Sequence, residues 1–135
     1  MEFYSIPQSK QLDSINLAYN RIDLLQNLDW APNLTILNLH NNRLEVLPPE
    51  VADLKKLKTL SISNNDLGTL DPRLSLITSL VRINIEGNPL KSIKTQIRSA
   101  GAEPLKAYLK TRLTENEIQK DEIAQGIALN LPGLS

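Results

Sequence analysis

The chain has 135 residues and is 41% hydrophobic, which is material for one domain with a sizeable core. Fifteen basic and fifteen acidic residues cancel, which argues against a general nucleic-acid or anionic-membrane binder. There is no cysteine, so disulfides and thiolate metal sites are excluded and a reducing compartment is favoured, and no apolar run approaches the roughly 18 residues of a membrane span.

The opening, Met1-Glu-Phe-Tyr-Ser-Ile-Pro7, has neither the basic nor the apolar region of a signal peptide. The expected location is the cytoplasm, with the nucleus also open. Residues 1–11 form a lead-in. Ile6-Pro7 resembles the Leu47-Pro48 step further on, so this stretch reads either as the remnant of an earlier repeat, in a fragment of a longer array, or as a short private cap. No amphipathic helix precedes Leu12, although the first unit of a stacked array needs a polar outer layer.

Residues 12–97 carry one frame, L-x-x-L-x-L-x-x-N-x-L, four times over. Leu12, Ile15, Leu17, Asn20 and Ile22 fill it first, and Leu34, Leu37, Leu39, Asn42 and Leu44 second. Leu57, Leu60, Ile62, Asn65 and Leu67 fill it third, and Leu80, Ile83, Ile85, Asn88 and Leu90 fourth. The starts lie 22, 23 and 23 residues apart. Period-two alternation in the first half of each frame predicts a short strand, with Leu37 and Leu39 inward and Ile36, Asn38 and His40 outward. After each asparagine the apolar spacing lengthens to three or four, which suits a helical or 3₁₀ turn. Leu25, Leu28 and Ala31 mark that track in the first unit. Leu47, Val51 and Leu54 mark it in the second, started by Pro48-Pro49, and Leu70, Leu74 and Ile77 in the third, started by Asp71-Pro72. Ile93 and Ile97 carry it in the fourth. Stacked strands sit about 4.8 Å apart and helical segments about 8–10 Å apart, so the array must bend with its strands on the concave side.

Asn20, Asn42, Asn65 and Asn88 are read as structural. The chain turns sharply after each strand, and a carboxamide offers both donor and acceptor to the backbone groups stranded there. Pro89 lacks an N–H for a further strand, and the array ends at Glu86-Gly87-Asn88-Pro89-Leu90. Residues 98–113 form a C-terminal cap, with a helix from Glu103 to about Leu113 whose face is Leu105, Tyr108, Leu109 and Leu113. Residues 114–135 form a tail, helical or flexible. Thr114-Glu-Asn-Glu117 has the form of a capping box, and the apolar end of the tail offers a route to self-association by covering another molecule's first repeat.

Four frames at this spacing identify a leucine-rich repeat. The fold class that follows is an α/β solenoid, a short horseshoe with a parallel concave sheet of about four strands, convex 3₁₀ or helical turns and a helical cap. Leu34 to Leu57 resembles the 23-residue repeat of intracellular leucine-rich-repeat scaffolds of Ras-pathway and cell-polarity proteins. Gly87-Asn88-Pro89-Leu90 with Leu105-Lys-Ala-Tyr-Leu-Lys-Thr-Arg-Leu113 resembles the closing segment of a longer member of that group. The resemblance implies protein binding and no catalysis. Secreted members often staple their caps with cysteines, which this chain lacks.

The residues themselves supply no active site. His40 is the only histidine; Ser61 and Ser63 lie one repeat away, Asp66 lies beyond the strand, and nothing marks an oxyanion donor. Glu86 is two repeats from His40, nearly ~10 Å by strand spacing, too far for a shared metal. No phosphate loop, cofactor motif or small-molecule site is present. The Asn33-Leu-Thr35 sequon is read as accidental. The candidate partner surface is the concave face. Its first column is Ser14, Ile36, Thr59 and Arg82, and its second Asn16, Asn38, Ser61 and Asn84. The third is Ala18, His40, Ser63 and Glu86, flanked by Tyr19, Asn41 and Asn64. Tyr19, Ile36, His40 and Arg82 most resemble binding anchors. A second candidate is the basic stretch Lys91, Lys94, Arg98, Lys106, Lys110 and Arg112, opposed only by Glu103. It suits an acidic partner, but no interleaved aromatics favour nucleic acid.

Overall fold

The computed structural model describes residues 2–124. Among the described residues six three-residue strands are interspersed with tight 3₁₀ turns and are followed by helices. Four strands form one parallel sheet, β2 (Ser14–Asn16), β4 (Ile36–Asn38), β5 (Thr59–Ser61) and β6 (Arg82–Asn84), in the order β2-β4-β5-β6. The register is one frame per layer: Ile15 pairs with Leu37, Leu37 with Leu60, and Leu60 with Ile83. Every frame position therefore stacks on its counterpart. The inward columns make one continuous core in which Leu34, Leu37, Leu39, Leu44, Leu57, Leu60, Ile62 and Leu67 are fully buried. Each such side chain contributes roughly 1.5–3 kcal/mol on burial, and a single repeat has nothing to bury its own against.

On the opposite side, 3₁₀ turns at Leu28–Trp30, Pro49–Asp53 and Pro72–Leu76 stack in series. Proline stands first in the second and third, where a missing N–H costs nothing. Asp71 caps the third, its Oδ1 accepting the Arg73 N–H at 2.9 Å. Arg73 then folds back, donating through Nη2 to Asp71 Oδ2 at 2.7 Å and to the Pro49 carbonyl of the preceding repeat at 3.2 Å. Its hydrogen bonds to Asp71 raise the guanidinium pKa above its ordinary value.

The first unit departs from the predicted helical track. Leu24–Gln26 is a strand, β3, and only Leu28–Trp30 is 3₁₀. The reason lies in residues 2–11: Phe3–Ser5 forms β1, which pairs in parallel with β3 on the convex side. Ile6 and Ser9 continue this pairing, donating to the carbonyls of Gln26 and Trp30, each at 2.9 Å. Ile6 is fully buried. The lead-in supplies a partner strand, so Leu24–Gln26 is paired where the equivalent residues 46–48 and 69–71 of repeats two and three lie in no helix or strand.

The fourth repeat ends in a short helix α1 (Thr95–Arg98), followed by α2 (Ala102–Lys110). Helix α2 begins and ends somewhat earlier than the sequence predicts, starting directly after Gly101, whose φ of 99° is open to glycine at little cost. It buries Ala102, Leu105 and Leu109 against the Pro72–Leu76 turn. Lys106 Nζ donates to the Ile77 and Leu80 carbonyls at 2.9 and 3.1 Å, and Tyr108 Oη to the Ser92 carbonyl at 3.1 Å. A further helix α3 (Glu115–Ala124) follows. Its capping box is formed in both directions: Glu117 N–H donates to Thr114 Oγ1 at 3.1 Å, and Thr114 N–H to Glu117 Oε1 at 3.0 Å. Glu117 also lies 4.0 Å from Arg73 Nε, so α3 starts beside the convex turn of the third repeat. The rest of the tail, residues 125–135, lies outside the described residues.

Candidate functional site

Strand register brings two of the three concave columns together directly. Ser14, Ile36, Thr59 and Arg82 are adjacent in series, as are Asn16, Asn38, Ser61 and Asn84. Beyond the strands, backbone bonds from Tyr19 to His40, Asn41 to Ser63 and Asn64 to Glu86 carry the alignment into the third column. Ile36 is 43% exposed and Ser14, Asn16, Arg82, Asn84 and Glu86 are open to solvent, while Ala18, Asn38, His40, Asn41, Thr59 and Ser63 are half-buried. Ser61 differs from the surface position expected of it: it is buried. Its side chain is the shortest of its column, and its register partners are the longer Asn38 and Asn84.

Beneath this face runs a ladder of asparagines. Asn42 Oδ1 accepts the Ile22 N–H at 3.0 Å, and its Nδ2 donates to the carbonyls of Leu17 and Leu39 at 2.9 and 3.0 Å. Asn65 accepts from Leu44 and donates to Leu39 and Ile62, all at 3.0 Å. Asn88 accepts from Leu67 at 3.1 Å and from Asn65 at 3.2 Å, and donates to Ile62 and Ile85 at 2.9 Å. Each amide thus ties its own turn to the turn before it. Asn20, in the first layer, has no such neighbour: it is exposed, and its Nδ2 reaches only Leu17 and Ala18 of its own repeat, at 2.8 and 3.2 Å. At the far end the Leu90 N–H, which has no later asparagine to meet it, turns back onto the Asn88 carbonyl at 2.8 Å.

One feature of the face is absent from the frame. The residue before each ladder asparagine is left-handed: Tyr19, Asn41, Asn64 and Gly87 have φ of 58°, 59°, 54° and 75°. Asparagine and glycine tolerate this region; tyrosine does so at a cost of about 1–2 kcal/mol. Yet Tyr19 is 76% exposed. Its ring meets His40 edge-on, and the His40 Nδ1 lies 2.9 Å from Asn41 Oδ1. Asn64 Nδ2 donates to the same oxygen at 3.4 Å. An amide oxygen only accepts, so Nδ1 is the donor in this contact. Tyr19, His40, Asn41 and Asn64 form a linked polar-aromatic ridge across three repeats. The signal was the Asn-Asn, Asn-Asn and Gly-Asn pairing in the last three frames, which marks a left-handed position that Tyr19 also has to fill.

The partners of His40 are an amide and an aromatic ring, a constellation without a nucleophile. Among the described residues no three His, Asp or Glu side chains are grouped to hold a metal ion, and no helix is long and apolar enough to cross a membrane. Asn33 Nδ2 donates to the Lys10 carbonyl at 2.6 Å, so the sequon amide ties the end of the first repeat to the lead-in. The basic stretch does not act as one surface: Lys106 is turned onto backbone carbonyls, and Arg98 Nη2 donates to Thr95 Oγ1 at 3.0 Å.

Parallel strands on one side, stacked 3₁₀ turns on the other and an amide ladder between them define a leucine-rich-repeat solenoid. A family model described as leucine rich repeat matches residues 32–90, which span the second, third and fourth frames. Proteins of this kind generally bind other proteins and are typically not enzymes, and their extended concave surface is the usual place of contact.

Proposed function

We propose that this chain is a non-enzymatic interaction module that binds a protein partner through its concave face. The observation that supports this most is Tyr19, an aromatic residue held in a costly backbone conformation while largely exposed. Strain of this kind persists where the surroundings enforce it, and it concentrates at binding sites. The ridge from Tyr19 through His40 and Asn41 to Asn64, with Ile36 and Arg82 on the sheet beside it, offers one aromatic anchor, one apolar anchor and several fixed hydrogen-bonding groups. The rest of the face is small and polar, suited to complementarity rather than energy. The 23-residue repeat class, a scaffold role in the cytoplasm, and a closing segment similar to that of leucine-rich-repeat-containing protein 40 belong to the same proposal. It rests on the frame spacing, the absence of cysteine and the Tyr108-Leu-Lys-Thr-Arg112 run. Within it, residues 12–97 are the binding array, 98–113 its cap, and 1–11 and 114–135 the flanking segments.

The test is affinity capture with the wild-type chain and with Tyr19→Ala, His40→Ala and Arg82→Ala, each checked for an unchanged circular dichroism spectrum. The expected result is a set of captured proteins that weakens in at least two of the three variants. Capture unaffected by all three removes the concave face as the site.

A further inference from the structure

The two ends of the sheet are finished differently. At the C-terminal end Leu80 is 0% and Ile85 2% exposed, sealed by the cap. At the N-terminal end the same columns are open: Leu12 and Leu17 are only half-buried and Asn20 is exposed, whereas Leu34, Leu39, Leu57 and Ile62 are all fully buried. β1 does not close this gap, because it pairs with β3 on the convex side. On either side of β2, the Asp13 carbonyl and the Leu17 N–H are bonded to β4. Backbone groups alternate along a strand, so Ser14 and Asn16 present their N–H and C=O groups to the outer edge, where no strand of the described residues pairs. The edge is thus an unfilled place for one more strand, over an incompletely covered apolar layer.

The chain carries a segment of matching chemistry. Three of the four strands with the residue after them read x-Φ-Asn-Φ, where Φ is Leu or Ile: Ser14-Ile-Asn-Leu17, Ile36-Leu-Asn-Leu39 and Arg82-Ile-Asn-Ile85. Beyond the described residues the sequence repeats this once more, as Ala128-Leu-Asn-Leu131, followed by Pro132, which has no N–H to extend a strand. We propose that Ala128–Leu131 of a second copy adds to the open edge of β2, in parallel and with Leu129 opposite Ile15. Leu129 and Leu131 then cover the half-open layer of Leu12 and Leu17, and Asn130 extends the column of Asn16 and Asn38. Reciprocal exchange between two copies about a two-fold axis closes the assembly as a dimer. The proposal does not depend on the concave-face reading, since it uses only the sheet edge and the tail.

The chain has no cysteine of its own, which allows a clean test. Asn16→Cys chain is mixed with Asn130→Cys chain and oxidised. The expected product is a disulfide-linked pair of one chain of each kind, absent when either is oxidised alone. Light scattering on the unmodified chain should give a mass above the 15.1 kDa monomer at high concentration. L129E/L131E, altered only outside the described fold, should weaken association at least about tenfold by placing charge in an apolar layer. Ser14→Pro removes an edge N–H without touching the β4 ladder and should do the same, with the thermal midpoint monitored to show the fold intact. Three results would each overturn the proposal: a monomer at every concentration, an oligomer indifferent to L129E/L131E, or, in the N16C/N130C double variant kept as dilute monomer, a disulfide closing within single chains.

Discussion

The rings of Tyr19 and His40 meet edge-on, with centroids 4.9 Å apart and planes at 87°. The contact is made from a backbone that tyrosine does not favour. Relief of the left-handed strain is worth about 1–2 kcal/mol, and loss of an aromatic pair about 0.5–1.5 kcal/mol. At 76% exposure the pair belongs at the lower end of its range, so strain relief wins. Tyr19→Asn should stabilise the fold by up to about 1 kcal/mol in urea unfolding, while partner capture falls. Stability and capture moving in the same direction would separate the strain from function.

The ladder asparagines should not be equivalent. Asn65→Ala strands the Leu44 N–H in a buried site, and the Leu39 and Ile62 carbonyls each lose one of two donors, keeping the amides of Asn42 and Asn88. The stranded N–H costs about 1–3 kcal/mol and each carbonyl bond lost about 0.5–1.5 kcal/mol, so the loss should be at least about 2 kcal/mol in total. Asn20 is exposed and bonds only within its own repeat, and Asn20→Ala should cost less than about 1 kcal/mol. Equal losses in urea titrations would show that the bonds between layers carry no special weight.

Gly87 combines a positive φ with a close neighbour. A Cβ added there would strike the side chain of Asn64. Gly87→Ala should destabilise by more than about 1 kcal/mol. Removing the obstacle as well, in Gly87→Ala/Asn64→Ala, should return the steric part and leave the conformational part. A double-mutant cycle without coupling would rule out the clash.

Asp71 serves both as cap and as ion-pair partner. Asp71→Asn keeps an acceptor for the Arg73 N–H but removes the charge from a half-exposed pair, at a cost within about 1 kcal/mol. Asp71→Ala removes the cap as well and should cost about 1 kcal/mol more. If the two variants melt together, the backbone cap is not the stabilising bond.

The frame carried most of the fold because every layer repeats it. Inward columns, concave strands, the proline-started 3₁₀ turns, the cap helix and the Thr114–Glu117 box are local patterns that a single sequence displays. Three features were not legible. Leu24-Leu-Gln26 is too short for its period to separate strand from turn, and its strand form depends on Phe3–Ser5, twenty-one residues earlier in register. Arg73 meets Pro49 and Glu117 by stacking of distant turns, which no local pattern encodes. The burial of Ser61, beside two longer register partners, is visible only once register is known. The site was legible as a set of outward columns, but the ridge that ties Tyr19 to Asn64 needed backbone angles.

The amide ladder also has a direction. Asn42, Asn65 and Asn88 each accept a hydrogen bond from the turn that precedes them in the chain and none from the turn that follows. A ribosome delivers the preceding turn first. Each new layer therefore emerges incomplete, with the N–H of Ile22, Leu44 or Leu67 wetted by solvent until the next asparagine arrives some twenty residues later. The completion of each layer is thus directional, each repeat being finished by its successor, and Leu90 closes the series by donating to the carbonyl of Asn88 in its own repeat.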